Sequence, residues 1–271
     1  MNALDAVGRV SLSPLEFDVL TEYLRLPRVP LVLKVPSPGR TYPERARLVE
    51  SAWRSLGQRG LRDVGGLDPD LERMLHLLAA PEREVDGRLW LDRSVRVLAA
   101  TDAERAVLVT KEAESLALRP ASPTGLPREA VSVLPPLPAG PGRSVSVRST
   151  DLDAAAREAG ESPERLPAEL RRRGVRADDA EGLAEMVAGA TSRGQFGAAA
   201  RQRDRRERAE RVIGFFDTAH GRYAQLRRRS PSGEDWSTIA PADDPRLIGH
   251  LAELLDEVTD DRDHSTGSSS S

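Results

Sequence analysis

The spacing of apolar residues changes from a helical repeat to a strand-like repeat twice along the chain. Three segments between residues 13 and 80 have apolar residues at every third or fourth position, which is typical of amphipathic helices. Each segment begins with a residue that caps helix N-termini, namely Ser13, Thr41 or Asp68, and has proline at the first or second helical position. The pattern predicts three capped helices.

Strand-like spacing follows these helices. Between the first two helices, Val29–Val35 alternates enough to predict a short strand. From Arg83 to Leu118 the repeat is two, and charged turns separate short apolar segments, which predicts an antiparallel meander. Residues 121–142 then contain six prolines and predict a linker with one short helix at 126–134.

The second half repeats this order. A short strand at Val145–Val147 precedes predicted helices, four predicted strands and a last helix that Asp243 or Asp244 opens with Pro245. The predicted helices cover 151–159, 164–173 and 177–190, and the predicted strands cover 194–198, 211–217, 222–227 and 235–240. We therefore expect an α+β fold, in which the meanders join into one antiparallel sheet with the helices packed against it and the halves have a quasi-twofold relation.

This repeat suggests one domain rather than two independent ones. We expect a single domain over residues 1–262, with halves at about 10–120 and 143–258 joined by the proline-rich segment 121–142. Residues 263–271 are polar and predict a disordered tail.

Composition narrows the function classes. The 271 residues include 40 Lys plus Arg and 43 Asp plus Glu, a formal charge of −3, so the whole chain has no field that attracts nucleic acid or anionic membranes. The absence of cysteine excludes disulfides, thiolate nucleophiles and sulfur-ligated metals. The first 20 residues do not resemble a signal peptide and no stretch has the length of a membrane helix, so we expect a cytoplasmic protein.

The sequence contains no recognisable catalytic or cofactor motif. There is no phosphate-binding glycine loop and no nucleophile elbow, and the four histidines lack metal-ligand spacing. We expect that the protein is not an enzyme and that it binds no cofactor and no metal ion.

The arginine-rich run 201–211 is interrupted by acidic residues and favours a solvated loop, with contact to nucleic acid as the alternative. Trp53, Trp90 and Trp236 lie in apolar patterns and are expected to be mostly buried.

Several short motifs occur in an order that resembles one family. They are Ser37-Pro38-Gly39-Arg40-Thr41, Arg59-Gly60-Leu61, Leu77-Leu78-Ala79-Ala80-Pro81, Leu134-Pro135-Pro136-Leu137-Pro138, Gly140-Pro141-Gly142-Arg143-Ser144-Val145, Gly221-Arg222-Tyr223, Gly233 with Asp235-Trp236, and Ala240-Pro241-Ala242-Asp243. Together they resemble the EspG family of ESX (type VII) secretion-associated proteins of actinobacteria. The resemblance extends from about Val10 to Val258.

The resemblance implies a cytosolic, non-enzymatic chaperone. Such a protein binds helical PE/PPE-type substrates at the tip of the PPE helical hairpin and keeps them soluble for type VII export. The resemblance also implies a central antiparallel sheet flanked by two helical groups with quasi-twofold symmetry. We expect a monomer or weak homodimer that binds neither nucleic acid nor membrane. The alternative is an uncharacterised enzyme, or a regulator that contacts nucleic acid through the arginine-rich loop 201–211.

A chaperone of this kind needs an exposed, partly apolar surface, and the second meander offers a candidate. Tyr223, Gln225 and Arg227 alternate along one predicted strand and share a face. Phe216 on the preceding strand and Phe196 on a neighbouring one are expected to complete the surface. The alternative is that these aromatic residues belong to the core, because strand faces under helices have the same pattern.

Overall fold

The structure, a computed structural model, describes residues 8–160, 162–202 and 205–260. Within these residues, eight α-helices and a large antiparallel β-sheet confirm the α+β class. By their tertiary contacts the residues divide into two compact units, which we describe separately. The first unit comprises residues up to Arg88, 93–133 and 199–207, and the second comprises 89–92, 134–198 and the residues from Arg208 onward.

Some predictions depend on how the two units relate to each other. The single domain over residues 1–262 and the quasi-twofold relation of the halves are of this kind, and both stay predictions. The predicted tail at 263–271 lies outside the described residues.

The first unit contains four helices and a meander, as the pattern predicted. The helices are α1 (Pro14–Tyr23), α2 (Tyr42–Gln58), α3 (Pro69–Ala79) and α4 (Leu126–Val131). The strands are β1 (Val10–Leu12), β2 (Arg62–Asp63), β3 (Gly66–Leu67), β4 (Arg83–Trp90), β5 (Ser94–Thr101), β6 (Ala106–Lys111) and β7 (Leu116–Ala121). The first six residues of β4 belong to this unit and its last two to the second unit.

The three predicted helix caps are confirmed. The Ser13 hydroxyl accepts the backbone N–H of Glu16, whose carboxylate accepts the N–H of Ser13 in return. Thr41 and Asp68 also accept backbone N–H groups in the first turns of α2 and α3. The predicted strand Val29–Val35 is wrong, because Leu31–Leu33 forms a 3₁₀ turn. Prolines at 30 and 36 lack the N–H groups that a strand ladder requires.

The sheet of the first unit has the strand order β1-β7-β6-β5-β4. Its register pairs β5 with β6 and β6 with β7 as consecutive hairpins, while β1 pairs with the outer side of β7. Helices α1–α3 bury leucines against this sheet, among them Leu20, Leu56 and Leu75, each at 0% exposure. These helices and strands share one hydrophobic core.

The second unit contains the other four helices and the second meander. Its helices are α5 (Ser149–Ala159), α6 (Leu166–Arg172), α7 (Ala177–Val187) and α8 (Asp244–Asp260). Its strands are β8 (Val145–Arg148), β9 (Ser192–Gln202), β11 (Ile213–Thr218), β12 (Gly221–Arg229) and β13 (Asp235–Pro241), while β10 (Arg205–Arg208) pairs with β9. The last four residues of β9 and the first three of β10 belong to the first unit.

The second unit has the strand order β9-β11-β12-β13-β8. Helices α5–α7 pack on one side of this sheet and share a core with Val145, Tyr223 and Ile239. We call this side the α5–α7 face. Helix α8 lies on the opposite side, the α8 face, where Glu253 forms an ion pair with Arg228 of β12. Each face of the sheet is therefore partly covered by helices.

Candidate partner-binding surface

Four of the five residues predicted to contact a partner lie on the α5–α7 face of the second unit. Tyr223, Gln225 and Arg227 are alternate residues of β12, so their side chains point to the same side of the sheet. Phe216 of β11 is directly opposite Tyr223 in the register, and the two rings stack with centroids 5.2 Å apart.

Phe196 does not belong to this surface, which corrects the predicted site. It pairs with Ile213 in the β9–β11 register, and therefore points to the α8 face. Its side chain is 0% exposed and stacks on Phe215 at a centroid distance of 5.8 Å. The sequence could not place it, because the face that Phe196 takes depends on its register with a strand 17 residues further along the chain.

Tyr223 lies on the predicted face but contributes to the core. Its side chain is 2% exposed, and its hydroxyl donates a hydrogen bond to the carbonyl of Pro141 at 3.1 Å. Burial raises the pKa of Tyr223, because the charged phenolate loses hydration there. Tyr223 can therefore support the surface from below, but it does not present a side chain to a partner.

The part of this face that stays open is a band across three strands, which we call the sheet strip. Gln195, Gly214 and Gln225 lie side by side in one row across β9, β11 and β12. Gln225 is half-buried, Phe216 is half-buried, and Arg227 is exposed. The sheet strip consists of Arg193, Gln195, Gly214, Phe216, Gln225 and Arg227.

Gly214 forms a low point in the sheet strip. A Cβ at Gly214 would lie 3.3 Å from Cβ of Gln225, so the glutamine side chain already leans over this position. Gly197, further along β9, is covered by the guanidinium of Arg208. Arg193, Gln195 and Gly214 were not among the predicted site residues. Their alternation along β9 and β11 was visible, but their positions beside Gln225 depend on strand pairing.

The charged residues of the sheet strip are both arginines. Arg227 forms an ion pair with Asp153 of α5 at 2.5 Å, and both side chains are about half exposed, at 48% and 45%. Arg193 is exposed, and within the described residues it has no ion-pair partner. Phe216 lies directly across from Arg193 in the register.

Beside the sheet strip, the proline-rich segment 134–142 is fixed to the start of β12. The backbone N–H of Arg222 donates to the carbonyl of Pro138 at 2.9 Å, and the carbonyl of Arg222 accepts the N–H of Gly140 at 3.0 Å. The segment therefore runs as a bound chain along β12 in the second unit, and it is not the free linker that the prolines predicted.

The Arg222 side chain holds this arrangement together. Its guanidinium is 0% exposed and binds both carboxylate oxygens of Asp217, at 2.7 and 3.0 Å. It also donates to the carbonyl of Pro135 at 2.9 Å and to the carboxylate of Asp244 at the start of α8. One buried arginine thus connects β11, β12, the proline-rich segment and α8.

Two glycines allow the proline-rich segment to lie close to the start of β12. A Cβ at Gly140 would lie 2.2 Å from Cζ of Tyr223, which is far inside contact distance. Gly221 has φ +135°, and a Cβ there would lie 2.5 Å from the backbone nitrogen of Gly140. Neither position has space for a side chain.

Three of the motifs in the family resemblance therefore meet at one place. The motif that begins at Leu134 and the one that begins at Gly140 supply the bound segment, and Gly221-Arg222-Tyr223 supplies the strand and the arginine. The motif Ala240-Pro241-Ala242-Asp243 joins them, because the N–H of Ala242 donates to the carbonyl of Arg222 at 3.0 Å. These motifs are explained by packing and by buried hydrogen bonds rather than by catalysis.

The arginine-rich run is partly strand. The expected loop at 201–211 is corrected, because Arg205–Arg208 forms β10 and pairs with β9. Arg206 forms an ion pair with the buried Glu84, and Arg211 forms one with Glu257 of α8. Both arginines are thus engaged within the chain, as is usual for charges that protect a strand edge.

One of the three tryptophans differs from the expectation that all are mostly buried. Trp90 is 48% exposed, so the prediction that it is buried is wrong. It is the last residue of β4. Side chains alternate between the two faces of a strand, and here Leu89 is the residue on the buried face. Trp53 is partly buried against the first core, with the guanidinium of Arg62 at 4.4 Å from its ring centroid, and Trp236 is partly buried.

A groove of about 360 Å³ lies in the first unit beside α3. Its lining includes the apolar Met74 and Leu77 and the ion-paired Asp70 and Arg73. Among residues 8–160, 162–202 and 205–260, no group of three or more acidic or histidine side chains is placed to hold a metal ion. In the same ranges, no helix is long and apolar enough to cross a bilayer.

The fold and the surface define the class of protein. It is an α+β protein with an antiparallel sheet. The sheet strip is mostly polar and contains two arginines, and the neighbouring proline-rich segment is held in place by the buried Arg222. The sequence model of the EspG family matches residues 13–253, and the chain belongs to this family. The predicted resemblance is confirmed.

A solved structure has the same fold. It is the Mycobacterium tuberculosis type VII secretion system chaperone EspG5 in complex with the PE25–PPE41 dimer. The TM-score is 0.72 at 15% sequence identity, over 92% of this chain and 96% of EspG5. No curated protein matches the chain by sequence.

Proposed function

We propose that this protein is a cytosolic chaperone of type VII secretion, which binds PE/PPE-type helical substrates and keeps them soluble for export. The observation that carries the proposal is the EspG family membership, together with a fold shared with a chaperone that was solved bound to a PE–PPE dimer. The absence of a helix that could span a bilayer among the described residues agrees with a cytosolic site of action.

We place the binding surface at the sheet strip. Its exposed residues are Arg193, Gln195 and Arg227, and Phe216 and Gln225 contribute as half-buried residues. A half-buried aromatic ring surrounded by polar side chains is the composition expected of a protein–protein interface. Phe196 and Tyr223 support this surface only as buried residues.

The protein acts here by binding and not by catalysis. The side chains of its buried polar residues Arg222, Asp217 and Ser237 have hydrogen-bond partners within the fold. A chaperone needs such residues only to hold its surface in shape.

Co-purification tests the proposal. Each PE–PPE pair encoded beside this gene is co-expressed with the tagged chain, and we expect at least one pair to elute with it as a stoichiometric complex. The same pairs expressed without the chain are expected to be largely insoluble. If every pair fails to bind, or if binding does not change solubility, the chaperone function is contradicted, and binding of a nucleic-acid probe instead would favour the alternative.

A further inference from the structure

The two arginines of the sheet strip are separated by about the width of a helical hairpin. Arg193 lies in the row of Tyr223, and Arg227 lies four residues further along β12. With about 4.8 Å between strands and about 3.4 Å per residue, their Cα atoms are about 17 Å apart. Two packed helices have axes about 8–10 Å apart and are each about 10 Å wide, so a hairpin tip covers a similar distance.

Both charged side chains of the sheet strip, Arg193 and Arg227, are positive. Within the described part of the chain, Arg193 has no ion-pair partner and Arg227 pairs with one carboxylate, the half-exposed Asp153. Exposed ion pairs contribute little to stability, so a partner carboxylate can replace Asp153 at small cost. Arginine binds carboxylates through two parallel hydrogen bonds, which favours acidic side chains as the contacts at both positions.

The middle of the sheet strip offers different contacts. Gln195 and Gln225 flank Gly214 there, while Phe216 lies across from Arg193, is half-buried and packs against the α5–α7 core. Glutamine amides both donate and accept, which suits the unpaired backbone groups of a loop between two helices.

We propose that the sheet strip selects helical-hairpin tips that carry an acidic side chain at each end and an apolar residue next to one of them. Arg193 and Arg227 bind the two carboxylates, and Phe216, beside Arg193, contacts the apolar residue. This inference rests on the proposed function, and it adds the charge pattern by which a substrate is recognised.

Neutralising variants test the inference with the PE–PPE dimer that co-purifies with the chain. We expect Arg193→Gln and Arg227→Gln each to raise the Kd on the order of fivefold in low salt, mainly through slower association. The difference from the native protein should shrink at high salt, because exposed charges are screened. Surface plasmon resonance at several salt concentrations measures both effects.

A matched control is available on the same strand. Arg228 is adjacent to Arg227, is also exposed and also forms an ion pair, with Glu253, but it points to the α8 face. We expect Arg228→Gln to leave the Kd unchanged. Replacing the acidic tip residue of the partner by arginine should weaken binding to the native chain and restore binding to Arg193→Glu or Arg227→Glu.

The outcomes separate the two proposals. If the native chain binds the dimer but both neutralising variants bind equally well, the acidic-tip inference is overturned and the chaperone function stands. A loss of binding in Arg228→Gln equal to that in Arg227→Gln would also overturn it. If the native chain binds no PE–PPE dimer, both the chaperone function and the acidic-tip inference are contradicted.

Discussion

The side chain of Arg222 connects β11, β12, the proline-rich segment and α8 of the second unit. It is fully buried, and its guanidinium binds Asp217, Asp244 and the carbonyl of Pro135. A buried arginine of this kind has lost its hydration, and its partners compensate for that loss only while all of them are present.

Removing the Arg222 side chain should strongly destabilise the folded protein. We expect Arg222→Ala to lower the free energy of unfolding by about 3–5 kcal/mol, because two carboxylates lose their counter-charge in or near the core. Urea denaturation followed by circular dichroism measures the change. Arg228→Ala, on the same strand but exposed, is the control and should cost about 0–1 kcal/mol. Equal effects of the two variants would show that burial of the guanidinium is not the reason.

At the scale of elements, helix caps were predictable and strand neighbours were not. Ser13, Thr41 and Asp68 cap helices through bonds that span two or three residues, so the sequence contains the whole interaction. By contrast, β8 pairs with β13 about 90 residues later, with Val147 opposite Ser237. No local pattern encodes that pairing.

The proline-rich segment is another case in which a local pattern did not predict contacts with distant residues. Its prolines correctly excluded long helices and central strands from residues 134–142. They could not show that Pro138 and Pro141 present their carbonyls to β12, because proline retains its acceptor when it loses its donor.

The hydroxyl of Tyr223 ties this segment to the strand and should be measurable. We expect Tyr223→Phe to lower the free energy of unfolding at neutral pH by about 1 kcal/mol through the lost bond to Pro141. Tyr42→Phe, at a residue that is 89% exposed, should have no effect.

The same variant has an expected pH signature. Burial raises the pKa of Tyr223 above 10.0 in the folded protein, so the neutral form is favoured by folding. Its contribution to stability is complete below the pKa of the unfolded chain and is lost as the pH rises through the folded value. Denaturation midpoints at pH 9 to 11 should fall less steeply for Tyr223→Phe than for the native protein. An identical slope would contradict the assigned burial.

At the scale of the whole molecule, binding and stability are linked. A partner that binds only the folded chain stabilises it by mass action, by about 2.7 kcal/mol at 100 times the Kd. We expect the PE–PPE dimer to raise the unfolding free energy by this amount. At the same dimer concentration, Arg193→Gln should gain about 1 kcal/mol less, since its Kd is expected to be about fivefold higher.

The control for this linkage is the free chain. Without the dimer, Arg193→Gln and the native protein should unfold at the same midpoint, because Arg193 has no ion-pair partner among the described residues. Thermal denaturation with and without the dimer makes the comparison. A variant already destabilised on its own would show that Arg193 has a structural role.

The sequence alone determined the α+β class, the capped helices, both meanders and the family, since each of these depends on residues close together or on motifs in order. The alternation along β12 also put Tyr223, Gln225 and Arg227 on one face. Tertiary structure decided which of them a partner can reach. Helices α5–α7 and the bound segment bury Tyr223, register sends Phe196 to the α8 face, and Arg193 comes to lie opposite Phe216. These outcomes depend on pairing between distant strands, and a shift of one residue in register would reverse every face.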